Sequence, residues 1–278
     1  MEAPNGYVHQ ISAVTADLLS RLIGALPPGS GASGLAQAAY RHGLLPCETR
    51  VCRLRAGAKV ALDLNVEQEA TAFLMREWEA STWRYLARNL QPGDTLLDVG
   101  ANIGLMLLQV RAKKRIEVHA FEPSAATADR LRRNIDMNGW SDITVVQVAV
   151  SDRPGVLALS GDNPVTRHVS RDGEQVTAIT LDEYVAERHL DVHALKLDVE
   201  GYEPAVIQGA RHLLVSQKPL IISEVIDAVL NERGFERRDL IEPLRQLHYE
   251  PRPLPPVMLQ RLRRKVPHTE NVAFVSMR

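Results

Sequence analysis

The chain is 278 residues long, with 33 Lys and Arg residues against 34 Asp and Glu residues and a formal net charge of −1. This length can bury one large core, and the balanced charge gives the chain as a whole no electrostatic reason to bind nucleic acid or an anionic membrane. No apolar run reaches the roughly 18 residues that cross a bilayer. The first twenty residues lack a basic start followed by an apolar stretch, so we expect a cytoplasmic protein.

Residues 1–90 are predicted to form a helical extension. Apolar spacing indicates a helix around residues 11–24, and the Gly-, Ser- and Pro-rich stretch at 26–34 indicates a loop after it. Residues 67–90 fit one helix or two short ones, which the sequence QPGD ends. We expect this extension to help cover an active site, although nothing in residues 1–66 predicts a specific role.

Residues 91–278 are predicted to form an α/β domain. Strand-like apolar runs alternate with helical stretches such as 125–138; the runs lie at 95–99, 116–121, 143–150, 193–199 and 219–225. The alternation is typical of βαβ units, so we predict a doubly wound, mostly parallel, Rossmann-like sheet. Residues 151–180 are rich in turn residues and predict an inserted β-hairpin, and residues 248–254 and 271–277 predict two more strands.

The stretch LLDVGANIG at 96–104 predicts a ligand-binding turn after the first strand of this domain. In an open parallel sheet, ligands bind beyond the carboxyl ends of the strands, and glycines let a ligand approach the backbone. A dinucleotide turn has the pattern G-x-G-x-x-G, whereas here Asn102 and Ile103 stand between Gly100 and Gly104. A pyrophosphate therefore fits this turn poorly.

A carboxylate suited to a ribose ends the next strand. Glu122 lies 18 residues after Gly104, where it can accept hydrogen bonds from both ribose hydroxyls. A ligand with a ribose and no pyrophosphate indicates S-adenosylmethionine, with Asp98 placed for its ammonium group and the turn backbone for its carboxylate. The alternative is that Asp98 caps a turn and that Glu122 is a solvated strand end.

Six segments between residues 93 and 225 form a wider pattern: GDTLLDVGANIG, AFEPS, VAVSD, LKLDVEGYE, the GA pair at 209–210 and PLIISEV. In these segments the chain resembles the FkbM-type methyltransferases, within the Rossmann-like group that uses S-adenosylmethionine. The resemblance implies O-methylation of a hydroxyl on a small molecule such as a polyketide, a sugar or another secondary metabolite. Together with the turn, it places the cofactor contacts at Asp98, Gly100, Asn102, Gly104, Glu122, Pro123, Ala149, Ser151 and Asp198.

The segment LKLDVEGYE also predicts catalytic groups. Strand side chains alternate, so Lys196, Asp198 and Glu200 would project to one side if the strand persists, with the two acids beside the cofactor. Glu224 ends the next strand, at the same edge of a doubly wound sheet. One of the three carboxylates would then remove the proton of the acceptor hydroxyl, or together they would bind Mg²⁺. Clustered acids raise one another's pKa, which suits a base near neutral pH.

Three further residues have predicted roles near the site. His168, in the inserted hairpin, is a reserve candidate for the base. Glu203, followed by a proline, is predicted to stabilise the first turn of a helix through the helix dipole. Lys196 is predicted to neutralise buried acids.

The sequence leaves alternatives open. A module that binds S-adenosylmethionine without catalysis is one, although the acids at 198 and 200 argue against it, and a methyltransferase for a nitrogen or carboxylate acceptor is another. The sequence lacks the broad basic stripe with interleaved aromatic residues that is typical of nucleic-acid methylation. We therefore expect a small-molecule hydroxyl acceptor and neither a nucleic-acid nor a membrane partner. The oligomeric state stays open, with a homodimer as one option.

Overall fold

The structure, a computed structural model, describes residues 13–27, 31–161, 168–170, 173–255 and 271–277. These residues form two compact units, one from residues 13–81 and one from residues 82–255 with 271–277. The sequence places a functional boundary at residue 90, and that boundary stays a prediction. No helix in the described part of the chain is both long and apolar enough to cross a membrane.

The first unit contains three helices and a β-hairpin. Its elements are α1 (Ala13–Ala25), α2 (Ala32–Arg41), β1 (Thr49–Arg53), β2 (Lys59–Asp63) and α3 (Glu67–Met75). The Ser20 hydroxyl of α1 donates to the Phe73 carbonyl of α3 at 2.6 Å. The two strands pair antiparallel across a turn in which Gly57 has φ +111°. The predicted first helix is present. The hairpin was not predicted from the sequence, because β1 has only two apolar residues, Val51 and Cys52.

The second unit is built on a seven-stranded sheet. Its strands are β3 (Thr95–Val99), β4 (Glu117–Phe121), β5 (Ile143–Val146), β10 (Val192–Leu197), β11 (Leu220–Glu224), β12 (Tyr249–Pro253) and β13 (Asn271–Ser276). Their order is β12-β13-β11-β10-β3-β4-β5; β13 is antiparallel to both neighbours, and the other pairs are parallel. The chain winds outward in one direction from β3 and in the other from β10, which confirms the predicted doubly wound, mostly parallel sheet.

Helices connect these strands. They are α4 (Ala80–Asn89), α5 (Leu105–Lys113), α6 (Ala125–Asp136), α7 (Leu181–Arg188), α8 (Glu203–Gln208), α9 (Arg211–Ser216), α10 (Asp227–Glu232) and α11 (Arg237–Gln246). Residues 67–90 form two helices, because Arg76 ends α3 in the left-handed conformation with φ +54°. Strand β3 is buried along its whole length, as expected of a central strand with both faces covered.

The insert between β5 and α7 is larger than the predicted hairpin. It forms a four-stranded sheet in the order β6-β9-β7-β8, from β6 (Ala149–Val150), β7 (Gly155–Ser160), β8 (His168–Ser170) and β9 (Glu174–Ile179). The antiparallel pair β7 and β9 corresponds to the predicted hairpin. The predicted strand at 143–150 is divided between two sheets, because the Val148 amide donates back to the Val146 carbonyl at 3.0 Å and turns the chain.

Candidate active site

The carboxyl ends of three neighbouring strands meet at one edge of the main sheet. In the parallel register, Leu197 of β10 lies beside Val99 of β3 and beside Ser223 of β11. The segments after these strands therefore start from the same edge, as predicted. The winding direction reverses between β3 and β10, and this is the position at which open α/β sheets bind ligands.

The segment after β3 is a tight loop with three residues in the left-handed conformation. Gly100, Asn102 and Gly104 have φ values of +78°, +50° and +90°. The amides of Gly100 and Ala101 both donate to the Phe121 carbonyl at 3.0 Å. The loop is thereby fixed to the end of β4.

Packing leaves little room for a side chain at two glycine positions of this loop. A Cβ on Gly100 would lie 1.8 Å from the carbonyl oxygen of Asp198, and a Cβ on Gly104 would lie 2.5 Å from the Leu131 side chain. The sequence interpretation attributes the glycines to the approach of a ligand, whereas the structure gives each one a neighbour within the protein. Their contact with a cofactor stays a prediction.

Glu122 follows β4 and is held at the same edge by backbone amides. Its Oε2 accepts from the Asn102 amide at 3.1 Å, and its Oε1 accepts from the Ser124 amide at 2.9 Å. Ser124 is the N-cap of α6, so the carboxylate also lies near the positive end of a helix dipole. Glu122 is buried rather than a solvated strand end, and it links the loop after β3 to the start of α6.

Asp98 is a buried carboxylate for which the described residues supply no hydrogen-bond donor. The Lys196 Nζ lies 3.5 Å from its Oδ1 as an ion-pair partner. Burial raises the pKa of Asp98, and the charge of Lys196 acts in the opposite direction. The side chain lies within β3 and does not cap a turn. It has no exposed surface, so the predicted direct contact with a cofactor ammonium group requires neighbouring groups to move.

The turn after β10 departs from the predicted strand alternation. The Asp198 amide still donates to the Val99 carbonyl at 3.0 Å, but β10 ends at Leu197. Glu200 and Gly201 then have φ values of +54° and +92° and reverse the chain. The prediction that the two acids alternate along one strand face is therefore wrong, and they belong to a turn instead.

The carboxylates of this turn differ in their surroundings. Asp198 Oδ2 accepts a hydrogen bond from Lys196 Nζ at 3.0 Å. Burial, together with the charges of Asp198 and Glu203, raises the pKa of Glu200 to about 7, and Arg233 and Lys196 oppose this shift. A partly buried carboxyl that titrates near neutral pH has the property required of a general base.

Two further residues shape the turn. Buried Glu203 accepts hydrogen bonds from the amides of Val199 at 2.9 Å and Gly201 at 3.4 Å. Arg233 Nε donates to the carbonyl of Glu200 at 3.3 Å. Glu203 begins α8 as predicted, and its contacts add a role in holding the turn. Arg233 is not predicted from the sequence, because it lies 33 residues further along the chain and no local pattern marks it.

Glu224 ends β11, opposite Asn271 in the antiparallel register, and is partly exposed. Within the described ranges, no three His, Cys, Asp or Glu side chains come together in a way that could hold a metal ion. Asp198, Glu200 and Glu224 all lie in those ranges, so the structure does not support the predicted Mg²⁺ site. Asp198 is paired with Lys196 instead.

The residues predicted from the VAVSD segment have contacts within the inserted sheet. Ala149 pairs with Ala178, and the Ser151 amide donates to the Ile179 carbonyl at 2.9 Å. A Cβ on Gly209 would lie 2.0 Å from the Ser151 carbonyl oxygen, which explains the glycine of the GA pair. The assignment of these residues to the cofactor stays a prediction.

The structure does not test the predicted roles of two other candidates. Pro123 is partly buried between Glu122 and the N-cap of α6. The backbone of His168 lies in β8, opposite Ser160, and its side chain is outside the described part of the structure. Its role as a base therefore stays a prediction.

A family model for the methyltransferase FkbM domain matches residues 98–254, which is more than half of the chain. The chain belongs to the FkbM methyltransferase family. The matched span begins at Asp98 and includes the loop after β3, Glu122 and the turn after β10. Membership of this family confirms the sequence resemblance and implies S-adenosylmethionine as the methyl donor.

Relatives of this FkbM-family chain are moderately similar to it. The 31-O-demethyl-FK506 methyltransferase FkbM of Streptomyces tacrolimicus is 29% identical, and the match covers 65% of this chain and 84% of the relative. The hexuronic acid methyltransferase AglP of Haloferax volcanii is 32% identical, with 58% of this chain and 63% of the relative covered. A solved FkbM methyltransferase from Methylobacillus flagellatus has a TM-score of 0.44 and 16% identity, with 76% of this chain and 54% of that chain covered.

Proposed function

We propose that this FkbM-family methyltransferase is an O-methyltransferase that uses S-adenosylmethionine and acts on a hydroxyl of a small molecule. The supporting observation is Glu200, whose pKa is raised to about 7 on the turn at the switch point of the sheet. An alcohol must lose its proton as it is methylated, so its methylation benefits from a base at this position. A carboxylate acceptor is already ionised at neutral pH and would not need one.

The residues around the loop after β3 fit the proposed cofactor. S-adenosylmethionine supplies a methyl group on a positively charged sulfur. Glu122, held by two backbone amides, is suited to the ribose hydroxyls. Buried Asp98 receives no hydrogen bond from the described residues, and Asp198 is partly exposed, so this edge of the sheet suits a cationic ligand.

We assign the proton transfer to Glu200 and the orientation of its turn to Glu203 and Arg233. The ionised form of Glu200 would accept the proton of the acceptor hydroxyl while the methyl group passes from the sulfur to the acceptor oxygen and the neutral thioether leaves. The hydrogen bonds from the turn amides to Glu203, and that from Arg233 to the Glu200 carbonyl, restrain the backbone that carries the base. Such positioning matters, because small displacements of a reacting group lower the rate strongly.

The acceptor is proposed to be a secondary metabolite or a sugar. The names of the relatives refer to demethyl-FK506 and to hexuronic acid, which are both small molecules. The net charge of −1 also gives the chain no overall attraction for nucleic acid. A binding module without catalysis is less favoured, because such a module would have no use for a carboxyl poised near pH 7.

Replacing Glu122 by alanine is expected to weaken S-adenosylmethionine binding by about 1–3 kcal/mol, the usual scale for losing hydrogen bonds to a charged group. The parent protein should bind S-adenosylmethionine or its demethylated product and bind NAD only weakly. Isothermal titration calorimetry of each ligand against folded protein measures both effects.

Glu117→Ala is the matched control for this measurement. It removes a glutamate from the opposite end of the same strand, β4, and should leave the affinity unchanged. Equal affinities for the parent and for a folded Glu122→Ala variant would rule out the ribose assignment. Preferential binding of NAD would rule out the proposed cofactor.

A further inference from the structure

Three ionisable residues form a line from the interior of β3 to the partly exposed turn after β10. Lys196 lies directly beside Asp98 in the parallel register of β10 and β3. Its Nζ is 3.5 Å from Asp98 Oδ1 and 3.0 Å from Asp198 Oδ2. Lys196 therefore bridges an acid on one strand and an acid on the turn that follows its own strand.

Exposure increases along this line. The side chains of Asp98, Lys196 and Asp198 are 0%, 4% and 29% exposed, respectively. Asp198 Oδ1 accepts no hydrogen bond from the described residues, so an oxygen of the outermost acid is available to a ligand. The line runs from a closed end at Asp98 to an open end at Asp198.

The surroundings of this line are apolar, which makes a purely packing role costly. The residues paired with Asp98 and Lys196 on the outer neighbouring strands are Ala120 and Ile222, which are apolar and fully buried. Burying ions among apolar side chains costs free energy, and apolar residues of similar size often stabilise a fold equally well or better. Asp198 places a carboxyl oxygen at the open end of the line, which suits a cationic ligand.

The same geometry argues against direct contact between Asp98 and a ligand. Asp98 has no exposed surface, whereas Asp198 is accessible and is hydrogen-bonded to Lys196. An effect of Asp98 on ligand binding would therefore pass through Lys196 to Asp198.

We propose that Asp98 and Lys196 are positioning residues that orient Asp198, whose outer oxygen binds the cationic part of the cofactor. This inference rests on the proposed use of S-adenosylmethionine. It differs from the sequence interpretation, in which Asp98 itself contacts the cofactor. The three side chains act in series, so the removal of either inner residue breaks the same connection.

Calorimetric titration of S-adenosylmethionine into Lys196→Met, Asp98→Asn and the double variant tests this order. Each single substitution is expected to weaken binding about tenfold, and the double variant should bind about as weakly as the weaker single variant, because residues acting through one another are not additive. Lys113→Met is the matched control, since it removes an exposed lysine from the last turn of α5 and should change nothing.

Other outcomes overturn the proposal in distinguishable ways. Additive losses, about a hundredfold in the double variant, would show that the residues act independently. A loss for Asp98→Asn with full affinity for Lys196→Met would show direct contact between Asp98 and the cofactor, and unchanged affinities would exclude the relay. If Lys196→Met does not fold, Lys196→Gln is titrated instead. If neither variant folds, the charge of Lys196 serves folding, and the proposed positioning role is overturned. If the parent itself does not bind S-adenosylmethionine, the proposed function fails.

Discussion

Replacing Glu200 by glutamine is expected to lower the rate of methyl transfer by about 10²–10⁴-fold, the usual contribution of a positioned general base. The amide keeps the size of the side chain but cannot take a proton. In the parent, the rate should rise with pH through about 7, as Glu200 loses its proton, and then level off. In the variant this step should disappear, and alkaline pH should partly restore the rate by ionising the acceptor. Steady-state rates across pH, at saturating cofactor, measure both effects.

The stability of the same variant provides a control for folding. A glutamate ordinarily has a pKa of 4.5, and the fold raises the pKa of Glu200 to about 7. The fold therefore favours the protonated side chain, so this contribution to folding stability is fully present below about pH 4.5 and is lost as pH rises through 7. Because glutamine does not ionise, the variant does not lose this stability at high pH. Glu200→Gln should therefore unfold at an equal or higher temperature than the parent at about pH 8, which would separate a slow reaction from a damaged fold.

Glu242→Gln is the matched control for activity, because Glu242 is an exposed glutamate on α11. It should retain the parent rate at every pH. If Glu200→Gln also retains the parent rate, the base lies elsewhere, and Glu224 and His168 become the next candidates. Asp198→Asn should weaken cofactor binding. Its rate of methyl transfer is therefore compared with that of the parent at saturating cofactor.

Replacing Gly100 by alanine is expected to destabilise the second unit by more than about 4 kcal/mol or to prevent its folding. The added Cβ would lie 1.8 Å from the Asp198 carbonyl oxygen, and the residue has φ +78°. The contact is with backbone at the junction of β3 and β10, so no side-chain rotation can relieve it. Urea unfolding followed by circular dichroism measures the loss.

Gly139→Ala separates the two causes of this loss. Gly139 also has a positive φ, +66°, but a Cβ there would have no neighbour within 4 Å. Its replacement should show only the strain of a left-handed alanine, about 1–2 kcal/mol. A Gly100→Ala variant as stable as Gly139→Ala would contradict the close packing of the loop against the turn after β10.

The elements that the sequence predicted correctly are those with a regular local pattern. The alternating apolar runs and helices are sufficient to predict the doubly wound sheet, because parallel strands need helical crossovers between them. The position of Glu122 also follows from local spacing, since it directly follows the strand next to the loop. Both inferences depend only on residues close together along the chain.

The elements that the sequence did not predict depend on backbone reversals and distant contacts. Glu200 leaves the strand pattern because it adopts a left-handed conformation that non-glycine residues rarely adopt. Arg233 approaches it only through the placement of α10. The burial of Asp98 depends on the packing of neighbouring strands, so the pattern could mark this acid but not show that it is closed to solvent.

Transfer of an isotope-labelled methyl group tests the proposed activity most directly. The purified protein would be incubated with S-adenosylmethionine carrying a trideuterated methyl group and with a mixture of small hydroxylated metabolites and sugars, and the products analysed by mass spectrometry and NMR. The proposed function predicts a labelled methyl ether on a hydroxyl oxygen, formed by the parent and formed far more slowly by Glu200→Gln. A label on a nitrogen or a carboxylate, or cofactor binding without transfer to any acceptor in the mixture, would contradict the proposed O-methylation.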